Sequence, residues 1–232
     1  MVPRSRDRLV VATGNRGKLE ELRALLAGLA LDMMGVREIL ADPPHVVEDG
    51  ATFAENAIKK ARATADATLM LTLADDSGLE VDVLGGRPGT RSARFAHDRA
   101  TDAENNAALL SALEPFADAE GRLAALDSGG PLRARFRCVL ALLDPFTRGG
   151  EPHFVEGVCE GSITLAPRGA GGFGYDPLFV VAGTDRTMAE LDSETKNRVS
   201  HRGRALAALR PVIESRLAER AEQVARAGGR GR

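Results

Sequence analysis

The sequence predicts an α/β protein with a mixed sheet, and three observations carry that prediction. Strand and helix patterns alternate through the first half of the chain, a hairpin pattern follows in the second half, and no linker separates two independent cores. With 232 residues, of which 44% are hydrophobic, the chain is long enough to bury a sizeable core. We therefore expect one domain over residues 1–232, with flexible ends at 1–8 and 218–232.

Composition excludes several classes of protein. The formal net charge is −2, which does not give the basic surface expected of a nucleic-acid binder. Cys138 and Cys159 stand at neither metal-ligand nor CxxC spacing, which is typical of buried thiols in a reducing compartment. No apolar run is long enough to span a membrane. These features predict a soluble cytoplasmic protein with neither a nucleic-acid nor a membrane partner.

The first element is a short strand over residues 9–12, followed by a Gly-rich turn over 13–18 and a helix. That helix is indicated by leucines at helical spacing, at positions 19, 22, 25, 26 and 29. Such a junction points backbone N–H groups and the positive end of the helix dipole at a bound anion, and Lys18 adds a cation. The interpretation is a phosphate cradle, and the alternative is a tight turn with a surface lysine. The spacing does not fit a Walker A loop, because Leu19 stands where Ser or Thr should be.

A second helix should begin at Thr52, because residues 52–55 read as a capping box. The apolar run 69–74 then predicts a buried strand that leads directly into Asp75-Asp76-Ser77-Gly78. We expect the two carboxylates at the strand's C-terminal end and the Ser-Gly pair to turn the chain. Ligands of open α/β sheets bind at that end, and Mg²⁺ takes one or two protein carboxylates. The alternative is a solvated acidic turn, and for Glu48, a second candidate ligand, an ordinary loop.

The second half begins with another capping box, at 101–104, and then a polar segment, 117–134, that we expect to be a surface loop or hairpin connection. Alternation over 136–142 and the apolar pattern of 154–163 predict two strands joined as a hairpin. A closing helix should begin near Ser200, which is a plausible N-cap, and Pro211 is expected to kink or split it.

Between the hairpin and the closing helix lies a loop, 167–177, that is too rich in Gly and Pro for regular structure. Its Phe173 can stack on a flat base, although an aromatic ring in this position can equally fill the core. The segment 196–202 supplies Lys196, His201 and Arg202, for which the alternative is an ordinary charged surface. Together, these signals describe a site for a nucleoside triphosphate.

These segments occur in order with three further motifs, Phe-Ala-Glu-Asn-Ala at 53–57, Gly-Gly-Arg-Pro-Gly at 85–89 and Ser-Ala-Arg at 92–94. The set resembles the inosine/xanthosine triphosphate pyrophosphatase family, whose members hydrolyse deaminated purine nucleoside triphosphates, and the likeness covers about residues 9–209. The resemblance implies an elongated mixed sheet with flanking helices and two lobes around a central cleft. It also implies a homodimer and a Mg²⁺-dependent release of monophosphate and pyrophosphate from ITP, dITP or XTP.

The resemblance also implies roles for single residues. Asp76 would accept the proton of the attacking water, Glu48 and Asp76 would bind Mg²⁺, and Asp75 would raise the local negative charge. Lys60 and Arg94 are secondary candidates for phosphate binding. Substrate binding falls to Thr13, Gly14, Asn15, Arg16, Gly17, Lys18, Ser77, Phe173, Gly174, Tyr175, Asp176, Lys196, His201 and Arg202.

Two other functions remain open on the sequence. A pyrophosphatase of modified pyrimidine or bulk nucleoside triphosphates would share the phosphate turn and the carboxylates. A non-catalytic nucleotide-binding module would need no paired aspartates beside a metal site. The chain departs from the family pattern before residue 9, over 117–134, around 161–163, which lacks an expected aromatic, and in its Arg-rich tail.

Overall fold

The computed structural model describes residues 7–116, 118, 131–146 and 150–228, with side chains up to residue 222. The described residues form a mixed sheet of six strands in the order β2-β1-β3-β4-β5-β6. The first three strands in that order are parallel, and the neighbours from β3 to β6 are antiparallel. The predicted mixed α/β class is therefore confirmed. The strands are β1 (Asp7–Val11), β2 (Leu31–Gly35), β3 (Leu71–Val81), β4 (Leu132–Leu143), β5 (His153–Ile163) and β6 (Phe179–Val181).

Helices cover both faces of this sheet. They are α1 (Arg16–Leu25), α2 (Val36–Ile39), α3 (Phe53–Thr68), α4 (Asp102–Leu113), α5 (Ser193–Val199) and α6 (His201–Gly228). Leucines of α1 and α6 pack on Leu71 and Leu73 of β3, whereas the alanines of α3 pack on Ala74 from the opposite face. A third cluster joins α4 to β6 and to the far ends of β3, β4 and β5. No described helix has the length and apolar character needed to cross a membrane.

The course of β3 corrects the prediction for the paired acids. The strand does not end at residue 74, and Ser77-Gly78 does not turn the chain, because both residues stay paired with β4, opposite Cys138 and Arg137. What ends here is the parallel neighbour: β1 stops at Val11, opposite Leu73. Asp75 and Asp76 thus lie buried in mid-strand, just beyond the carboxyl end of β1, and the carboxyl ends of strands are where ligands of open α/β sheets bind.

Most of the local predictions are confirmed. Thr52 caps α3 by accepting from the Glu55 amide at 3.2 Å, although the Glu55 carboxylate binds the amide of Ala51 rather than that of Thr52. The Thr101 capping box is complete in both directions, and β4 and β5 form the predicted antiparallel hairpin. Ser200 caps α6 by accepting from the Gly203 amide.

Three boundaries differ from expectation. Helix α1 ends at Leu25, and the later leucines of the predicted helix pack against the core from a turn that contains Gly28 at a φ of 96°. Helix α6 is not split at Pro211 and runs to Gly228, so it covers most of the expected flexible tail. In the segment 117–134, residues 117 and 119–130 lie outside the described residues, and 132–134 belong to β4.

Candidate functional site

The site consists of two adjoining cavities between the phosphate turn, β3 and the loop that precedes β6. The aromatic cavity encloses about 640 Å³ of space partly open to solvent, and Phe136, Phe173, Tyr175 and His201 are among its walls. The carboxylate cavity comprises about 860 Å³ of space that is also partly open to solvent. Its polar walls include Glu48, Lys60, Asp75, Asp76 and Arg94. The two cavities share Asn15, Lys18, Ser77 and Ala93.

The phosphate turn leads into α1 as the sequence predicts. Asn15 is the N-cap, and its side-chain oxygen accepts from the Lys18 amide at 3.0 Å. The helix therefore begins at Arg16, and the geometry of a helix N-terminus leaves the amides of Arg16 and Gly17 without an intrahelical acceptor. Such amides, at the positive end of the helix dipole, suit a phosphate group.

Asp75 and Asp76 face opposite sides of the sheet, because successive side chains of a strand alternate. Asp75 lies with Cys138 and Arg202 on the side of α6, whereas Asp76 lies with Asn56 and Lys60 on the side of α3. The two neighbouring carboxylates consequently have separate partners and separate electrostatics.

Asp75 is neutralised by cations. Its carboxylate accepts from Lys18 and, at 3.0 Å, from the Arg202 guanidinium. Burial by itself would raise the pKa of Asp75, but the charges of Arg202 and Lys18 outweigh burial and hold that pKa well below its usual range. The resemblance implied that Asp75 raises the local negative charge around Asp76; its two cationic partners offset much of that charge, although the charge of Asp75 still contributes to raising the pKa of Lys60.

Asp76 and Glu48 share one cation. The Lys60 ammonium group donates to Asp76 at 2.8 Å and to Glu48 at 2.9 Å. Burial raises the pKa of Asp76 to about 6 against the opposing charges of Lys60 and Lys18. For Glu48, the same burial is outweighed by the charge of Lys60, so its pKa lies below its usual value. At neutral pH, this arrangement gives two ionised carboxylates, of which Asp76 is the more basic.

A divalent cation fits this pair of carboxylates. Both side chains already converge on a single positive charge, and the oxygen donors are those that Mg²⁺ prefers. Within the part of the chain that the structure describes, no cluster of three or more His, Cys, Asp or Glu residues could hold a metal by itself. A metal at Glu48 and Asp76 would thus need further ligands from water or substrate, as Mg²⁺ commonly does.

Phe173 lies at the border between the phosphate turn and the aromatic cavity rather than in the core. A side chain at Gly17 would come within 2.7 Å of the Phe173 ring, so this close approach requires glycine. The Lys196 ammonium group lies 5.1 Å from the ring centroid, and the Arg202 guanidinium carbon lies 5.7 Å from it. The ring is half-buried and lines the cavity, an arrangement that favours the base-stacking interpretation.

The polar groups of the aromatic cavity are mostly paired with one another. Arg202 donates to Asp75, Glu21 and Ser77, and Lys196 donates to Asp176 and Glu21.

His201 differs from these paired groups. Burial and the nearby charge of Arg202 lower the pKa of His201 well below its usual value, so the ring is neutral, and it stacks on Phe136 with centroids 4.8 Å apart. Its buried Nδ1 has no hydrogen-bond partner among the described residues. The ring also lines the aromatic cavity, where a neutral imidazole can hydrogen-bond a ligand.

Nearly all of the predicted site residues therefore come together around the two cavities. Arg16 does not, because its side chain is 90% exposed and pairs with Glu20 at 2.8 Å. Gly17 contributes by allowing Phe173 to approach, and Tyr175 is largely a core residue whose hydroxyl donates to the Ser92 carbonyl at 2.9 Å.

Sequence reasoning gave too little weight to α3 and to Glu21. Asn56 donates to Asp76 at 3.3 Å and accepts from the Gly50 amide, and Lys60 follows one helical turn later. These residues, with Thr64, form a polar line beside the alanine stripe of α3, and this spacing was visible in the sequence. Glu21 joins Lys196 to Arg202 across more than 170 residues of chain, and no local pattern indicates that contact.

Comparisons with known proteins match this chain over nearly its whole length. A model of the Ham1 family matches residues 9–212. The dITP/XTP pyrophosphatase of Geobacter sulfurreducens is 51% identical over 205 residues, covering 88% of this chain and 94% of that protein. The dITP/XTP pyrophosphatase of Bacillus subtilis is 44% identical over 206 residues, covering 89% of this chain and 96% of that protein. The solved structure of a HAM1 protein from Coxiella burnetii matches with a TM-score of 0.75 and 41% sequence identity. The match covers 90% of this chain and 99% of that protein.

Proposed function

The chain belongs to the Ham1 family, and from that premise we propose that it hydrolyses deaminated purine nucleoside triphosphates such as dITP, ITP and XTP. The products would be the monophosphate and pyrophosphate. The observation that carries the proposal is the junction of the two cavities at Lys18 and Ser77. A base held in the aromatic cavity would leave its phosphates beside the turn and the carboxylates.

Asp76 is the residue best suited to take the proton of the attacking water. Its pKa of about 6 leaves the carboxylate ionised at neutral pH, yet more basic than an ordinary aspartate. Asn56 donates to one carboxylate oxygen and Lys60 to the other, so the side chain is held from two sides. A general base gains most when its pKa lies near the working pH.

Positioning and charge neutralisation are the other needs of phosphoanhydride hydrolysis. Lys18, Lys60 and Arg94 line the carboxylate cavity, and the free amides at the start of α1 face the same region. Glu48 and Asp76 would hold Mg²⁺, which when bound would supply further positive charge at the phosphates. Lys18 and Lys60 are paired with Asp75 and Asp76, and Arg94 donates to the backbone carbonyl of Glu48, so the three cations hold a fixed arrangement around the substrate.

Base selection follows from hydrogen-bonding chemistry. Hypoxanthine and xanthine carry an oxygen at position 6 and an N1–H, whereas adenine carries an amino group and a bare acceptor. Lys196, His201 and Arg202 can donate toward an oxygen at position 6, and adenine would leave such buried donors unpaired. Lys196 and Arg202 are held by acidic side chains, whereas the neutral His201 ring lines the same cavity, so His201 is the group most ready to bind the base.

The decisive experiment measures pyrophosphate release from ITP, dITP, XTP, GTP, ATP and dUTP, each with Mg²⁺ and with a chelator. We expect kcat/KM for ITP and XTP to exceed that for ATP by at least about a hundred-fold, because buried polar groups discriminate strongly. Comparable rates on dUTP would contradict purine selection. Tight binding of ITP without any release of pyrophosphate would identify a binding module instead.

Two further properties complete the proposal. We infer a homodimer from the family resemblance, to be tested by sedimentation of the full chain. We also infer a cytoplasmic location, in keeping with the two buried free thiols, Cys138 and Cys159.

A further inference from the structure

We propose that Asp102 and Asn106, in the first turns of α4, are positioning residues that fix the base-binding loop through the backbone of Gly174. The inference rests on the proposed function, because it assigns these residues to the binding of the purine base. The sequence did not predict that Asp102 or Asn106 would contact this loop, because residues 101–104 were interpreted only as the start of a helix.

Asp102 and Asn106 bind both backbone polar groups of Gly174. The amide of Gly174 donates to the Asp102 carboxylate at 2.7 Å, and its carbonyl accepts from the Asn106 side-chain amide at 3.0 Å. The two side chains are four residues apart on one helix face, so they reach the loop together. Gly174 has a φ of 64°, a conformation that strongly favours glycine, and the space beside its Cα is open.

Helix α4 is itself held firmly, so it can serve as a fixed support. The Asn105 side chain accepts from the Ala96 amide at 3.0 Å and donates to the Ala93 carbonyl at 3.1 Å. Leu109 and Leu113 of the same helix are fully buried in the core. Helix α4 thus connects the packed core to the backbone of the loop at Gly174.

The residue that precedes Gly174 is Phe173, whose ring borders the aromatic cavity. Its own amide donates to Asp176 at 3.1 Å, and Asp176 in turn holds Lys196. Releasing Gly174 from α4 would let the Phe173 ring and the Asp176 carboxylate move relative to Gly17 and Lys196. Affinity for the base should fall, while the carboxylate cavity, on the other side of Lys18, should keep its geometry.

The test compares Asn106→Leu, Asp102→Ala and Asp102→Asn with Ser111→Leu, an exposed position on the same helix. Steady-state kinetics with ITP give KM and kcat for each variant of the full chain. The chain has no Trp and a single Tyr, so the emission of Tyr175 reports on this loop independently of activity. Thermal unfolding measures any general loss of stability.

We expect Asn106→Leu and Asp102→Ala each to raise KM by about five-fold, the loss typical of one hydrogen bond, with kcat within about two-fold of wild type. Both should change the intensity of the Tyr175 emission. Asp102→Asn keeps an acceptor oxygen and should restore KM and emission, and Ser111→Leu should change neither.

The proposal is overturned if KM stays unchanged in both loss variants. It is also overturned if the rise in KM comes with a fall in kcat and in the melting temperature, as in a general packing defect. Failure of the proposed function has a different outcome, in which wild-type protein does not hydrolyse ITP. The Tyr175 emission then still decides whether α4 holds the loop, and equilibrium binding of ITP decides whether that matters for the base.

Discussion

The two sides of β3 give two adjacent aspartates opposite electrostatic environments. On the side of α6, Asp75 forms ion pairs with Lys18 and Arg202. On the side of α3, Asp76 shares the single Lys60 with Glu48 and borders the carboxylate cavity. The pKa of Asp75 is depressed, whereas that of Asp76 is raised to about 6. Identical side chains one residue apart thus become a structural anion and a candidate base, because strand alternation gives them different neighbours.

The largest expected effect concerns Asp76→Asn, which removes the proton acceptor but keeps the side chain's shape. We expect kcat for ITP to fall by about a thousand-fold, within the range attributed to general base catalysis, while substrate binding stays close to wild type. Quenched-flow or coupled pyrophosphate assays measure the rate, and calorimetry measures the binding. A kcat within ten-fold of wild type would remove Asp76 from this role. Stability at neutral pH should not fall, because Asp76 is ionised there and burial of the ionised carboxylate opposes folding.

The second prediction is that Asp75→Asn acts on stability. It would leave Arg202 and Lys18 facing a neutral amide in the interior, and breaking such a buried pair typically lowers the free energy of unfolding by about 3–5 kcal/mol. Because the pKa of Asp75 is lowered in the fold, its stabilising contribution is present above its unfolded pKa and is lost as pH falls through the folded value.

Urea denaturation at pH 7 measures the effect of Asp75→Asn. The matched control is Asp82→Asn, which breaks a half-exposed pair with Arg135 just after the end of β3 and should change stability by less than about 1 kcal/mol. If both variants lose the same small amount, the cations around Asp75 do not hold the fold together. The contrast between Asp75 and Asp76 would then be one of position alone.

The third prediction separates the two aspartates by pH. Asp76 has a folded pKa above its unfolded value of 3.8, so the fold favours its protonated form. Its contribution to stability is complete below pH 3.8 and is lost as pH rises through about 6.

Asp76→Asn should therefore gain stability relative to wild type between pH 4 and pH 7, by roughly 2–3 kcal/mol for a shift of this size. Urea titrations of both proteins in chelator give the difference at each pH, and titrating groups that do not contact Asp76, such as His201, cancel in the comparison. A difference that does not change over this pH range would show that burial does not perturb Asp76.

Local chemistry made much of this arrangement predictable. The Thr101 capping box, the Asn15-to-Lys18 turn and the β4–β5 hairpin depend on neighbouring residues, and the structure agrees with each prediction. The predicted end of β3 at residue 74 was wrong. Ser-Gly is a common turn pair, and only the pairing with β4 keeps Ser77 and Gly78 extended. The opposite environments of Asp75 and Asp76 depend on contacts with α3 and α6, and such distant contacts leave no periodic signal in one sequence.

The smallest expected effect is that of Cys138→Ala, on the Asp75 side. The Cys138 thiol donates to Asp75 Oδ2 at 3.0 Å, but the same oxygen accepts from Arg202 at 3.0 Å, so the carboxylate keeps a strong donor when the thiol is removed. A thiol is a weak hydrogen-bond donor, and we expect a loss of at most about 1 kcal/mol beyond that of Cys159→Ala, which controls for the missing buried sulfur. Paired urea titrations give this difference, and kcat/KM for ITP should stay within about two-fold of wild type. A tenfold fall in kcat/KM in Cys138→Ala alone would mean that the orientation of Asp75 affects the reaction through its contact with Lys18. The two sides of β3 would then act as one site.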